Sequence, residues 1–179
     1  MRAAVAVALL LLAGCGDKTP APAPKPTASA ALSPPRTILI SYGACHGTCP
    51  IFTITISSLG QGNFEGQNFT SLSGNRAFPV TRAQFDAVAA ALAPIRPPDD
   101  KQLTAYSNVH APKPQCDVYA TDQPTRIVTW TGLDGKQQAM VWDSGCQAKR
   151  YAGVQPAIDK ALAVLPVAPW IGQAKVPAP

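Results

Sequence analysis

The residues best suited to chemistry in this sequence are its five cysteines. Cys15 follows an apolar segment near the start of the chain, and the other four are Cys45, Cys49, Cys116 and Cys146. Without Cys15, which is discussed below with the signal for export, four cysteines remain. An even number of cysteines in an exported chain favours disulfide bonds. Four cysteines allow three pairings, and sequence spacing alone does not choose among them. We favour Cys45 with Cys49 and Cys116 with Cys146, because the first two lie in one short loop.

The loop between Cys45 and Cys49 allows a second interpretation. The run Cys45-His-Gly-Thr-Cys-Pro50 is similar to the metal-binding loop of the Sco-type copper chaperones, in which a distant His, here His110, completes the site. Cysteine and histidine ligands suit soft metals. In those proteins a helix follows the motif, whereas the alternation over residues 51–58 predicts a strand. This difference argues against a copper site. Disulfide exchange or copper handling through Cys45 and Cys49 is therefore kept as the alternative and not as the leading function.

Cys15 belongs to a different motif. A positive charge precedes the apolar run Ala3 to Ala13, and Leu12-Ala-Gly-Cys15 is similar to a bacterial lipobox. We expect residues 1–14 to be a signal peptide and Cys15 to carry lipid that anchors the chain in the bilayer. An ordinary secretory peptide with a chance Cys is the alternative. A transmembrane helix is disfavoured because the apolar run is shorter than the roughly 20 residues that a membrane span needs. In lipoproteins of this type, an Asp directly after the lipidated Cys commonly retains the protein in the inner membrane. Gly16 has that position here, so the resemblance implies the outer membrane, with the domain facing the periplasm.

Composition divides the rest of the chain. Residues 15–36 are rich in Pro and Ala, which predicts an extended tether without a core. Charged residues make up 14% and apolar residues 46% of the whole chain, which argues against disorder of the main body. The length remaining suits one domain over residues 37–172, followed by a flexible tail at 173–179, and excludes a large multidomain enzyme. The net charge of +5 is too small and scattered to favour nucleic acid as a partner.

Apolar periodicity predicts an α+β domain. Strands are expected at Thr37–Tyr42, Ile51–Ser58, Asn63–Phe69, Cys116–Ala120, Thr125–Thr131 and Lys136–Asp143. A capping box at Thr81 to Gln84 begins one helix, which should end near Ala93, and residues 154–165 carry the apolar face of a second. Asp99 to Pro114 is expected to be a loop. The order predicts an antiparallel sheet of about five to six strands with two helices on one face, stabilised by disulfides.

Several of these segments occur in the order of one family. They are Cys45-His-Gly-Thr-Cys-Pro-Ile-Phe-Thr-Ile-Thr-Ile56, Glu65-Gly66, the helix with Phe85, Thr121-Asp-Gln-Pro-Thr125, and Ile158-Asp159 before Trp170. This set resembles domain of unknown function number 6438, which typically reads Cys-x-Gly-Thr-Cys-Pro-x-Tyr. Phe52 stands where Tyr is usual, and Cys116 and Cys146 are an addition, which supports treating them as partners. The resemblance implies a small exported or surface domain with no assigned activity.

Catalytic machinery is not recognisable in the sequence. It has no Gly-x-Ser-x-Gly elbow, phosphate loop, zinc spacing or dinucleotide fingerprint, and Glu65 is its only Glu. We therefore predict no catalytic residue, no metal and no cofactor. Asp122 is a possible binding residue, with a hydrolase role as the remotest option, or else a turn residue. Trp130 and Trp142 are also possible binding residues, forming an aromatic surface, or else belong to the core.

Together these features predict a membrane-anchored periplasmic lipoprotein that binds or scaffolds a partner. The partner would be a periplasmic protein or cell-wall material, with the bilayer contacted through the acylated Cys15.

Overall fold

The computed structural model describes residues 34–98, the backbone of residues 102–105, and residues 116–172. Several features named above lie outside the described residues. These are the signal peptide at 1–14, Cys15, the tether up to residue 33, His110, and the tail at 173–179. All the described residues belong to one compact unit. No helix among them is long and apolar enough to cross a membrane.

A seven-stranded sheet organises the domain. Its strands are β1 (Thr37–Tyr42), β2 (Ile51–Ser57), β3 (Gln61–Asn68), β4 (Gly74–Pro79), β5 (Gln102–Ala105), β7 (Thr125–Thr131) and β8 (Gln137–Asp143). They lie in the order β4-β3-β2-β1-β7-β8-β5. The first six are antiparallel, and β5 runs parallel to β8 at the edge. A second, two-stranded sheet pairs β6 (Val118–Tyr119) with β9 (Cys146–Gln147).

Alternating burial explains the strands at the centre of the sheet. In β1, Ile38 and Ile40 are each 1% exposed, while the alternating residues Thr37, Leu39 and Ser41 are half-buried. β2 repeats the pattern with Ile54 and Ile56. Successive side chains of a strand point to opposite faces, so one face of the sheet is apolar and the other is rich in Thr and Ser. The strands expected from this alternation are confirmed.

Two helices cover the apolar face, α1 (Arg82–Leu92) and α2 (Val154–Leu162), and a one-turn helix, α3 (Ala168–Ile171), follows them. The capping box is confirmed: the Gln84 amide donates to Thr81 Oγ1 at 3.1 Å, and the Thr81 amide donates to Gln84 Oε1 at 2.9 Å. Buried apolar side chains of α1 and α2 complete a single core with the sheet. The α+β class, with helices on an antiparallel sheet, is confirmed.

Two strands differ from the sequence prediction. The expectation of a loop from Asp99 to Pro114 is wrong for Gln102–Ala105, which form β5 beside β8. A four-residue edge strand is too short to show a period, so its neighbour rather than its own pattern reveals it. β4 was not predicted either, because Phe78 is its one buried side chain.

Candidate functional site

Both disulfides lie at the same end of the central sheet. The Gly43 amide, just after β1, donates to the Thr125 carbonyl at the start of β7 over 2.8 Å. The Ser144 amide, just after β8, donates to the Pro124 carbonyl over 3.1 Å. These bonds join three loops, residues 43–50, 120–124 and 144–149, which we call the disulfide end.

The first disulfide joins Cys45 and Cys49, as favoured from the sequence, with their Cα atoms 5.8 Å apart. It lines an open cleft of about 370 Å³, which we call the polar cleft. The lining is Cys45, His46, Gly47, Thr48, Cys49, Pro50, Asp122 and Gln123. The structure therefore brings the disulfide and Asp122, two of the features singled out from the sequence, into one place.

Asp122 is held in this cleft by its backbone. Its φ of 65° lies in the left-handed region, which Asp tolerates better than most residues. Its carbonyl accepts a hydrogen bond from the His46 amide at 3.1 Å, and its carboxylate accepts one from Thr121 Oγ1 at 3.0 Å. Asp122 thus fixes the position of the Cys45–Cys49 loop and leaves its side chain exposed.

The second disulfide joins Cys116 and Cys146, confirming the other favoured pair. It ties the chain before β6 to β9, and the Ala120 amide donates to the Gly145 carbonyl at 2.9 Å. A Cβ atom on Gly145 would lie 1.9 Å from the Ala120 carbonyl oxygen. The close approach of these two backbones therefore requires glycine at position 145.

Beside this disulfide lies a second cleft, of about 380 Å³, which we call the apolar cleft. It is lined by Asp117, Val118, Trp142, Cys146, Gln147, Ala148, Lys149, Tyr151, Ala152 and Gln155. Trp142 and Tyr151, 9% and 6% exposed, are its buried aromatic residues. Trp142 Nε1 donates to the Cys146 carbonyl at 3.1 Å, which fixes the orientation of the indole ring.

Strand β6 contributes the exposed Val118 to the lining of the apolar cleft, and Tyr119 follows it in the strand. Val118 is 61% and Tyr119 41% exposed, high fractions for apolar side chains in a strand. Tyr119 Oη donates to Asp143 Oδ2 at 2.8 Å, and this carboxylate raises the pKa of Tyr119. Within the described part of the chain β6 pairs with β9 alone, so its other edge offers backbone groups for pairing.

A partly buried arginine lies beside Trp142 of the apolar cleft, on the neighbouring strand β7. Arg126 pairs in register with Tyr42 on one side and Trp142 on the other. Its Nε and Nη1 atoms are buried and make no hydrogen bond to the described residues. Burial lowers the pKa of Arg126 and raises the pKa of Tyr42. Gln155 Nε2, from the wall of the apolar cleft, donates to Tyr42 Oη at 3.3 Å.

The two tryptophans named as possible binding residues, Trp130 and Trp142, lie in different parts of the domain. Trp130 is 1% exposed and lies in the core, so of the alternatives open for it the structure shows the core position. Trp142 lines the apolar cleft, and Asp122 lines the polar one. The three possible binding residues therefore do not form one surface.

Sequence reasoning missed Arg126, Tyr151 and Gln155. A signal for Arg126 was present, because it occupies the same alternate positions of β7 as the buried Val128 and Trp130. A charge in an apolar register is a candidate functional residue.

The described residues contain no group of three or more His, Cys, Asp or Glu side chains placed to hold a metal ion. The cysteines of the polar cleft are joined to each other, and His110 lies outside the described residues.

A family model, described as a domain of unknown function (DUF6438), matches residues 36–162. The resemblance seen in the sequence is confirmed. The matched range includes both disulfides and the complete lining of both clefts, and it ends before α3. No curated protein matches the sequence significantly, and no solved structure does.

Proposed function

The chain belongs to the DUF6438 family, a domain of unknown function. Since that family brings no activity with it, we propose a function from the geometry. The protein is a lipid-anchored module of the cell envelope that binds a protein partner without catalysis. The observation that carries the binding role is the apolar cleft beside the Cys116–Cys146 disulfide. Ligand-binding clefts are typically concave and mostly apolar, with a few placed polar groups.

The walls of the apolar cleft suit an apolar side chain of a partner. Trp142 and Tyr151 offer rigid aromatic surface, the kind of residue that contributes most to binding at interfaces. The charged residues of the lining, Asp117 and Lys149, are both exposed and lie at the rim. The cleft therefore combines an apolar floor with a polar rim, as protein interfaces do.

The neighbouring edge of β6 suggests how the partner binds. An extended segment that adds a strand beside Val118 and Tyr119 would satisfy the free backbone groups of that edge. Side chains alternate along such a segment, so every second one would point to the same side as the cleft. We therefore favour an extended, apolar segment of a protein over a cell-wall sugar, which would need more polar groups than this cleft offers.

Anchoring through Cys15 is the second part of the proposal. It is supported by the lipobox-like sequence Leu12-Ala-Gly-Cys15 and by the Pro/Ala-rich tether that follows it. Gly16 after the cysteine favours the outer membrane, with the domain in the periplasm.

Mass spectrometry of the mature chain tests the anchor. We expect an N-terminal peptide that starts at Cys15 and carries a diacylglyceryl group and an N-linked acyl chain. Fractionation of the envelope on a density gradient then assigns the membrane. An unmodified Cys15, or a mature terminus elsewhere, would overturn the anchor.

A photo-crosslinker tests the binding site. Benzoylphenylalanine is placed at Gln147, an exposed residue of the apolar cleft, and irradiated in living cells. We expect a defined protein adduct that is lost when Ala152→Phe fills the cleft. Ala90→Phe, an exposed alanine on α1, is the matched control and should keep the adduct. An adduct indifferent to Ala152→Phe, or one formed with residues 106–115 of the same chain, would overturn the proposal.

A second candidate function is disulfide exchange at the polar cleft. It is favoured by the position of the Cys45–Cys49 disulfide, which lines an open cleft beside the exposed His46 and Asp122. A redox titration separates the candidates. Structural disulfides have potentials below about −300 mV, whereas those of oxidoreductases lie at about −120 to −270 mV. A high potential, or copper retained by the purified chain, would favour the second candidate.

A further inference from the structure

The chain joins the domain at the end of the sheet opposite the disulfides. The Arg36 amide donates to the Thr131 carbonyl at the end of β7 over 2.7 Å. The Arg36 carbonyl accepts a hydrogen bond from the Ser58 amide, just after β2, at 2.9 Å. Arg36 is therefore fixed between the last residues of two strands. Pro34 and Pro35, the first described residues of the segment that connects the domain to Cys15, lie beside it, and Pro35 is buried.

Two leucines flank this point symmetrically. Thr37 pairs in register with Ser57 on one side and with Thr131 on the other. Leu59 and Leu133 each lie two residues beyond those partners, in the β2–β3 and β7–β8 turns. They are 69% and 80% exposed, the highest fractions among the exposed large apolar side chains of the described chain. We call Leu59, Leu133 and Arg36 the leucine end.

The turns that carry the leucines are well defined. The Gly60 amide donates to the Ser57 carbonyl at 3.1 Å, and the Gly132 amide donates to the Lys136 carbonyl at 2.9 Å. Gly60 and Gly135 both have positive φ, which glycine adopts without strain. Both leucines are therefore held outward by ordered backbone, and little conformational entropy is lost if they are buried by something else.

We propose that the leucine end rests on the membrane that holds Cys15, with both leucines inserted between the lipid headgroups. This inference rests on the proposed lipid anchor. The membrane is the surface expected to contact the leucine end, because residues 15–33 connect this end of the domain to the lipid on Cys15. A tether raises the effective concentration of its two ends, so a weak affinity for the bilayer is sufficient.

The charges around the leucines are compatible with an anionic membrane. Arg36 is exposed and attracts anionic headgroups. Lys136 lies 3.7 Å from Asp134, so this pair adds no net charge to the turn of Leu133. Docking at the leucine end would direct the opposite, disulfide end away from the bilayer, where the apolar cleft is open to a soluble partner.

Crosslinking to lipid tests the orientation. The full, acylated chain is reconstituted in vesicles of phosphatidylethanolamine and phosphatidylglycerol, with benzoylphenylalanine at Leu59, at Leu133, or at Gln147 as the control on the disulfide end. We expect lipid adducts several-fold more abundant at positions 59 and 133 than at 147. With the probe at 59, Leu133→Ser should reduce the lipid adduct. Because Leu133 is exposed, this substitution should leave the circular dichroism unchanged.

The outcomes distinguish this inference from the anchor on which it rests. The mass of each chain shows whether Cys15 is acylated before irradiation, and an unacylated native chain removes both proposals. An acylated chain with equal lipid adducts at the three positions overturns the docking and leaves the anchor intact. Adducts at Leu59 and Leu133 with a second copy of the chain also overturn it, because the leucines would then form a protein interface.

Discussion

The guanidinium group of Arg126 lies 3.8 Å from the centre of the Tyr42 ring. The two residues are register partners in β7 and β1, on the face of the sheet that the helices cover. A cation over an aromatic face is stabilised, but Nε and Nη1 of Arg126 are buried without a hydrogen bond to the described residues. Burial nevertheless lowers the pKa of Arg126, so the contact with Tyr42 offsets only part of the cost of burying the charge.

Replacing Arg126 with methionine should not destabilise the domain. Methionine keeps most of the side-chain volume and removes the buried charge, a change that is often neutral or stabilising by about 1 kcal/mol or more. Urea denaturation measures the free energy of unfolding. Arg126→Ala is the comparison, and it should destabilise because it leaves a cavity. A loss of more than about 2 kcal/mol in the methionine variant would show that the contact with Tyr42 more than offsets the cost of burying the charge.

Stability should fall at alkaline pH partly through Tyr42. Burial raises the pKa of Tyr42 above its ordinary value of 10.0, so the folded state retains this proton more firmly than the unfolded state does. Its contribution is therefore complete below pH 10 and decreases as the pH rises through the folded-state pKa. Unfolding free energies at pH 8, 10 and 11 check this. Tyr42→Phe should show a smaller decrease than the wild type above pH 10, and equal slopes would contradict the prediction.

Gly145→Ala should disrupt the apolar cleft. The new Cβ atom would lie 1.9 Å from the Ala120 carbonyl oxygen, a backbone atom, so the hydrogen-bonded backbones of Ala120 and Gly145, next to β6 and β9, must move apart. We expect a loss of about 1–3 kcal/mol in the free energy of unfolding and loss of the crosslink from Gln147. Gly153→Ala is the matched control, because a Cβ there meets no atom within 4 Å. Equal effects of the two substitutions would disprove the requirement for glycine.

The two disulfides should stabilise the domain unequally. Their cysteines are 30 and 4 residues apart in sequence. In the chain-entropy model the longer loop contributes about 3.6 kcal/mol and the shorter about 2 kcal/mol. Thermal and urea unfolding of Cys116→Ser/Cys146→Ser and Cys45→Ser/Cys49→Ser should therefore differ by roughly 1.5 kcal/mol. The reverse order would show that the Cys45–Cys49 loop stabilises the fold in some way other than by loop closure.

The central strands were predictable because each carries its own signal. β1, β2 and β7 each have one buried face, so period-two alternation suffices to identify them. β3 gives a weaker signal because of Gly66. A Cβ at that position would lie 1.9 Å from the Leu72 carbonyl oxygen, so a loop approaching the strand requires the glycine. That contact is tertiary and has no local sequence pattern.

The site was predictable in its parts but not in its assembly. The cysteine pairing was favoured correctly, and Asp122 and Trp142 both line clefts. Asp122 reaches the Cys45–Cys49 loop only because β1 and β7 pair, and that pairing depends on contacts between distant parts of the sequence. No spacing rule predicts which strands become neighbours.

The position of β1 at the middle of the sheet has a consequence for synthesis. One neighbour, β2, follows it closely along the chain, but Ile40 also pairs with Val128, which the ribosome adds much later. A nascent chain that ends before Thr125 therefore has β1 as an open edge and an incomplete core. Such edges are prone to pair with other chains. Once such a partial chain reaches an oxidising compartment, Cys45–Cys49 is the one of the two disulfides that it can form, because Cys116–Cys146 requires Cys146, which follows β8.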